Sequence, residues 1–145
     1  MKNPVVIVPE VMEPLVTLGK LGVASSIPAT IRELVHLRVS QINGCAVCID
    51  MHVSKQEDTP RRLAAVAVWR DAPFFSDAER AALALAEAVT RVADETDRVP
   101  DAVWNEAARH FDERTLAWLV VHISVTNLYN RLNVATRQVA GVRNW

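Results

Sequence analysis

Apolar residues recur every three to four positions along most of the chain, and no segment alternates between apolar and polar residues with a period of two. This periodicity predicts an all-α protein without strands. The expected helices run from Glu13 to Val23, from Ser26-Ile27-Pro28 to about Ile42, from Cys45 onward, from Thr59-Pro60 to about Trp69, from Ser76 to about Ala93, from Pro100 to Phe111, and from Glu113 to about Leu132. We therefore expect a single domain over residues 1–145, a compact bundle of six to seven helices.

Several helix ends have their own local signals. Asn43-Gly44 favours positive φ and should stop the second helix. Thr59 before Pro60 is an N-cap followed by proline at the first helical position, Ser76-Asp77-Ala78-Glu79 is a capping box, and Asp112 caps the last helix. These signals fix where the helices begin more firmly than periodicity alone does.

The last helix is apolar almost all round between Leu116 and Val125. Such a segment is either central in the domain or covered by another subunit. Further along the same helix, Asn127, Asn130 and Arg131 lie at helical spacing and could meet another subunit.

Charge and length exclude several functions. The net charge is −1 with acids and bases intermixed, so nothing indicates binding to nucleic acid or to an anionic membrane. The apolar run from Val5 to Val8 is too short for a signal-peptide core or a membrane span, and we expect the protein to be cytoplasmic. A Cys-x-x-Cys pair in that compartment is more often catalytic or metal-binding than structural.

The candidate chemistry lies in the segment that holds the only two cysteines of the chain. Cys45, Cys48 and His52 fall at i, i+3 and i+7, so they share one face of a helix that starts at Cys45. The first turn of a helix stabilises a thiolate, and His52 is close enough to Cys48 to exchange its proton. The two thiols are also spaced to form a disulfide across one turn. Glu33, on the preceding helix, could lie beside His52 and orient its imidazole.

Other roles for these residues remain open. A zinc site could use Cys45, Cys48 and His52 with Glu33 or His36 as the fourth ligand. The cysteines could also be inert buried thiols, since free cysteine often behaves as a small hydrophobic residue. His36 is more simply a packed or surface histidine, and His122 a satisfied core or interface residue.

The run from Glu33 to His52, ELVHLRVSQINGCAVCIDMH, resembles the core of the carboxymuconolactone decarboxylase superfamily. More narrowly, it is similar to the alkylhydroperoxidase D-like branch, which has Glu, then Cys-x-x-Cys, then His at these spacings. The resemblance implies a helical subunit that assembles as a homo-trimer or homo-hexamer and reduces hydroperoxides without a cofactor. Cys48 would be the peroxidatic cysteine and Cys45 the resolving, more exposed one, with His52 and Glu33 as the proton relay.

A dihydrolipoamide-like dithiol or a thioredoxin-like protein would then reduce the disulfide. One position departs from the family pattern, because Val47 stands where the best-studied members have a histidine just before the second cysteine. Two further functions are considered. One is the lactone decarboxylase chemistry that names the superfamily, and the other is a non-enzymatic redox or zinc sensor.

Overall fold

The third and the eighth α-helices lie at the centre of the molecule and pack against most of the other helices. The computed structural model describes residues 2–53 and 59–142, and within these ranges the chain forms helices and turns and no strands. The α-helices are α1 (Pro4–Ile7), α2 (Met12–Val23), α3 (Ala29–Asn43), α4 (Ala46–Val53), α5 (Pro60–Ala65), α6 (Asp77–Thr90), α7 (Asp101–His110) and α8 (Glu113–Ala135). Two 3-10 helices span Pro9–Val11 and Val66–Asp71. The predicted all-α class is confirmed.

Helix α3 is buried on two sides, which explains its central place. One side packs with α6, α7 and α8 in a core formed by Ile27, Ile31, Val35, Val39, Ala82, Leu85, Ala86, Ala107, Phe111, Leu116, Leu119 and Ile123. Its other side meets the segment that follows α4, in a core formed by Leu34, Leu37, Leu63, Ala65, Val66, Trp69, Ala72, Phe75 and Leu83. A helix held from both sides is a rigid support for the residues at its end.

The capping signals in the sequence act as predicted. The Ser76 hydroxyl accepts from the Glu79 N–H and the Glu79 carboxylate accepts from the Ser76 N–H, so the capping box is formed. Asp112 accepts from the N–H of Thr115 at the start of α8. Gly44 has φ of 67°, the left-handed conformation that ends α3.

Two segments differ from the periodicity-based prediction. The helix that starts at Pro60 is α-helical only to Ala65 and continues as a 3-10 helix, with a kink at Val68. The kink leaves Val68 exposed and turns Trp69 inward, where its indole N–H donates to buried Glu87. The sequence analysis also missed α1, a single turn that begins where the Asn3 side chain accepts from the Val5 N–H.

Helix α8 is central, as its apolar character predicted. It packs against α2, α3, α4, α6 and α7, and it buries Leu119 and Ile123 completely. Its outer side still exposes Val121 and Leu128, and Val134 is exposed on a different side near the end of the helix. Cover by another subunit therefore stays a prediction for that side. None of the helices in the described ranges is long and apolar enough to cross a membrane.

Candidate active site

The two cysteines lie at the tight turn between α3 and α4. Positive φ at Gly44 reverses the chain, and the Cys45 N–H donates to the Ser40 carbonyl at 3.0 Å. Cys45 directly precedes α4, which begins one residue after the predicted start, and the Cys45 carbonyl accepts from the Ile49 N–H. Cys45 and Cys48 are joined by a disulfide with their Cα atoms 5.3 Å apart. The predicted ability of the pair to bridge one helical turn is confirmed.

The expectation that Cys45 is the more exposed cysteine is wrong for this chain. Cys45 is 1% exposed and Cys48 is 6% exposed. The turn holds Cys45 against the end of α3, and the side chains of Val47 and Met51 pack around the disulfide. Both cysteines are therefore buried in the subunit, and Cys48 is the slightly more exposed of the two.

An amide from α8 contacts the second cysteine. The Asn133 side-chain nitrogen donates to Sγ of Cys48 at 3.3 Å, and the Asn133 oxygen accepts from the Asn3 side chain at 2.7 Å. This bond orients the amide so that its N–H group faces sulfur. The sequence analysis missed Asn133, although it lies at i+3 from Asn130 and so continues the predicted polar spacing of the last helix.

The structure brings Glu33 and His52 together. Oε2 of Glu33 lies 2.7 Å from Nδ1 of His52, and its other oxygen lies 3.7 Å from Nε of Arg32. The hydrogen bond from His52 lowers the pKa of Glu33, and partial burial opposes this without reversing it. Glu33 is thus a carboxylate at neutral pH, and it leaves Nε2 of His52 available for proton transfer. The geometry predicted for this pair is present.

Two more histidines extend this site. The His36 ring stacks on His52, with ring centroids 3.3 Å apart, and its centroid is 6.1 Å from that of His122. The His122 Nε2–H donates to the Arg32 carbonyl at 3.0 Å. Burial lowers the pKa of His36 well below 6.5 and lowers that of His122 to about 4, so both are neutral at pH 7. His36 is packed against its neighbours and His122 has a hydrogen-bond partner, which are the simpler roles that the sequence analysis gave them. Both histidines nevertheless lie beside His52.

The asparagines of α8 face inward, which contradicts the expected contact with another subunit. Asn127 and Asn130 are both buried, and their oxygens each accept from the Asn43 side chain at 2.9 Å. The Asn130 nitrogen donates to the Ser40 hydroxyl. Buried amides must find partners inside the protein, and here the partners lie at the end of α3, just before the cysteine turn.

A cavity of about 190 Å³ opens beside the histidines. It lies between α2, α3, the end of α4 and α8, and Glu33, His36, His52 and His122 form its polar side. The other lining residues are Leu18, Gly19, Gly22, Val23, Arg32, Val121, Val125, Thr126 and Tyr129. The site thus combines a dithiol, a carboxylate–histidine pair and a small, mostly apolar cavity.

A family model agrees with this arrangement. The carboxymuconolactone decarboxylase model matches residues 9–88, which include the cysteine turn and Glu33. The chain belongs to the carboxymuconolactone decarboxylase family. The uncharacterized protein YdfG of Bacillus subtilis (strain 168) is 40% identical over 132 residues, covering 89% of this chain and 88% of YdfG. The uncharacterized protein YnjA of Escherichia coli (strain K12) is 38% identical over 114 residues, covering 77% of this chain and 61% of YnjA.

A solved structure supports the alkylhydroperoxidase D-like branch of the family. ATU0492 from Agrobacterium tumefaciens is a protein of unknown function, provisionally described as the antioxidant defence protein AhpD. It is 30% identical to this chain and superimposes with a TM-score of 0.90 over 97% of both chains. The resemblance read from residues 33–52 therefore extends to the whole described fold.

This member of the family replaces one expected relay residue with an apolar one. Val47 is buried beside the disulfide and carries no group that could transfer a proton.

The zinc site considered above would need Cys45 and Cys48 as thiolates. In the disulfide form neither sulfur is a thiolate. Across residues 2–53 and 59–142, no three His, Cys, Asp or Glu side chains are grouped to hold a metal ion.

Proposed function

We propose that this protein is a thiol-dependent peroxidase that reduces alkyl hydroperoxides through Cys48 and Cys45. The observation that carries the proposal is the Cys45–Cys48 bridge one helical turn before a histidine that is paired with Glu33. A bridged pair is the oxidised end of a dithiol cycle, and a carboxylate–histidine pair is a means of moving protons in that cycle.

In the first step the Cys48 thiolate attacks the terminal oxygen of the hydroperoxide. The O–O bond breaks, Cys48 becomes a sulfenic acid, and the alkoxide leaves with a proton supplied by His52 to give an alcohol. The Cys45 thiol then displaces water from the sulfenic acid and forms the disulfide. Two electrons and two protons from an external dithiol restore the thiols by exchange.

Three observations favour Cys48 as the attacking cysteine. His52 follows it by one helical turn, whereas Cys45 is two turns from His52. The Asn133 amide donates to the Cys48 sulfur, and the same N–H group would stabilise a thiolate there. Cys48 is also the more exposed of the two.

The reductant and the assembly are part of the proposal. A small dithiol of the dihydrolipoamide kind, or a thioredoxin-like protein, would exchange with the disulfide through Cys48, which is the less buried of the two cysteines. A homo-trimer or homo-hexamer would cover the apolar side of α8 that exposes Val121 and Leu128.

The test uses reduced, desalted protein and one equivalent of cumene hydroperoxide, with intact mass, free-thiol count and zinc content measured. Wild type should lose both thiols. Cys45→Ser should give a sulfenic acid that dimedone traps, and Cys48→Ser should give none. Steady consumption of peroxide with dihydrolipoamide separates turnover from a sensor, which would react once. Equal reactivity of Cys48→Ser and wild type, or thiols that react only after zinc is stripped, would overturn the proposal.

A further inference from the structure

Two side-chain amides link the second cysteine to the N-terminal turn of the chain. Asn3 directly precedes α1 and Asn133 lies in α8, so 130 positions separate them in sequence. Nδ2 of Asn3 donates to Oδ1 of Asn133 at 2.7 Å, and Nδ2 of Asn133 donates to Sγ of Cys48 at 3.3 Å. A chain of hydrogen bonds thus runs from the start of the protein to one sulfur of the disulfide.

Asn3 is a fixed starting point for this chain. It is buried, whereas the turn α1 that follows it contains no buried residue. Oδ1 of Asn3 accepts from the Val5 N–H at 3.2 Å and so caps α1. Because Pro4 has no N–H, the Val5 N–H is the first backbone donor of the turn, and a cap oxygen is the usual partner of such a donor.

The direction of the hydrogen bonds is fixed at both ends. A backbone N–H can only donate, so Asn3 turns its oxygen to Val5 and its NH2 group to Asn133. Asn133 must then present its oxygen to Asn3, which directs its own NH2 group to Cys48. At the other end, the Cys48 sulfur carries no proton in the disulfide and can only accept. Both ends therefore require the same orientation of the Asn133 amide.

The orientation of this amide affects the charge on the sulfur once the disulfide is reduced. An N–H group that faces Cys48 stabilises the thiolate, whereas an amide oxygen in the same place favours the neutral thiol, which can donate to it. Thiolate is the reactive form of cysteine. A residue that holds the amide in one orientation can therefore control the reactivity of Cys48 without touching it.

We propose that Asn3 is a positioning residue for Cys48 and acts through Asn133, by keeping the N–H side of that amide on the sulfur. The inference rests on the proposed function for the choice of Cys48 as the attacking cysteine. It makes the N-terminal turn part of the machinery that sets the acidity of the Cys48 thiol.

Asn3→Asp reverses the amide but leaves the cap in place. Aspartate caps a helix as well as asparagine does, so the Val5 N–H keeps its acceptor. The new carboxylate cannot donate, however, and it draws the NH2 group of Asn133 towards itself, which turns the Asn133 oxygen to the sulfur. We expect Asn3→Asp to slow alkylation of Cys48 by iodoacetamide at pH 7 about tenfold in the Cys45→Ser background.

The pH profile of alkylation separates ionisation of the thiol from access to it. In Asn3→Asp the midpoint of the profile should move to higher pH by about one unit. The rate at high pH, where the thiol is fully ionised, should not fall below that of the parent, because a thiolate of higher pKa is the better nucleophile. Asn3→Ser, whose shorter hydroxyl still caps α1, should slow the reaction at pH 7 by about threefold. Circular dichroism checks that both variants are folded.

A double-mutant cycle tests whether Asn3 acts through Asn133. The negative charge added by Asn3→Asp could itself disfavour a thiolate, and that effect would persist without the amide. We expect Asn3→Asp to change the rate less than about twofold in the Asn133→Ala background. A parent-like pH profile in folded Asn3→Asp and Asn3→Ser, or an equal shift with and without Asn133, would overturn the proposal.

This experiment can fail or succeed independently of the peroxidase proposal, because alkylation needs no peroxide. If the profile shifts as expected but the parent does not react with cumene hydroperoxide, the peroxidase proposal fails and the role of Asn3 stands. If the parent reacts with hydroperoxide and the Asn3 variants keep its pH profile, only the role of Asn3 fails.

Discussion

Nδ1 of His52 lies 2.7 Å from Oε2 of Glu33, nineteen residues earlier in the chain. This contact joins α4 to α3 across the cysteine turn. It fixes the imidazole ring and directs its second nitrogen away from the carboxylate. The contact gives the proposed proton-transfer role of His52 a geometric basis, and the first prediction concerns its removal.

Glu33→Gln should slow the oxidation of reduced Cys48 by cumene hydroperoxide about tenfold, and His52→Phe about a hundredfold, as expected when a general acid is misoriented or removed. Stopped-flow loss of thiol in the Cys45→Ser background measures this step. Glu113→Gln, an exposed carboxylate in the first turn of α8, serves as the control. Equal rates in Glu33→Gln and Glu113→Gln would show that the pair is structural only.

The Asn133 amide is expected to stabilise the Cys48 thiolate. A hydrogen bond to a charged group contributes about 1.5–3 kcal/mol, and bonds to sulfur lie at the weak end of that range. Asn133→Ala should therefore slow alkylation of Cys48 by iodoacetamide at pH 7 about tenfold in the Cys45→Ser background. Asn105→Ala, exposed on α7, is the control. Alkylation that is as fast in Asn133→Ala as in the control would contradict this role.

The free energy of unfolding should fall as the pH is lowered from 7 to 4. The folded-state pKa of His122 is about 4, against 6.5 for an ordinary histidine, so the unfolded chain binds a proton there while the folded chain does not. His36 acts in the same direction. The stability from neutral His122 is complete above about pH 6.5 and is lost as the pH falls towards 4, by at most about 3 kcal/mol.

Urea unfolding between pH 7 and pH 4 measures this loss. Arg32, Glu33, His36 and His52 surround His122, and Glu33 weakens the effect because its charge raises the pKa of His122. His122→Gln keeps a donor for the Arg32 carbonyl but cannot titrate. Its midpoint should fall less over this range than that of wild type, and parallel curves for the two proteins would be inconsistent with the assignment.

The same substitution at two glycines should have opposite effects. An added Cβ meets nothing within 4 Å at either Gly22 or Gly44, so neither change is limited by space. Gly44 has φ of 67°, and Gly44→Ala should lower the free energy of unfolding by about 1–2 kcal/mol. Gly22 lies in the last turn of α2, and Gly22→Ala should raise it by about 0.5 kcal/mol. The midpoints of urea unfolding measure both changes, provided that the slope of unfolding free energy against urea concentration is the same in each variant. A Gly44→Ala variant as stable as wild type would contradict the strain argument.

The sequence predicted several helix ends correctly because each is set by contacts between residues that are close in the chain. The capping box at Ser76, the cap at Asp112 and the stop at Gly44 each involve residues within a few positions of one another. The sequence did not predict the kink at Val68, because the inward orientation of Trp69 depends on a hydrogen bond to Glu87 in α6. Glu87 in turn bonds to Arg38 in α3, so that kink is decided by three separated segments.

Part of the candidate site likewise follows from the sequence, and part follows only from the tertiary structure. The spacing of Cys45, Cys48 and His52 determined a helix face that could form a disulfide, because helical geometry relates residues three and four apart. Only the tertiary structure decided that Glu33 meets His52, that His36 stacks on His52, that Asn133 reaches Cys48 from α8, and that Cys45 is the more buried cysteine. These contacts join α3, α4 and α8, and periodicity within one helix cannot fix how three helices are set against each other; packing of their side chains does.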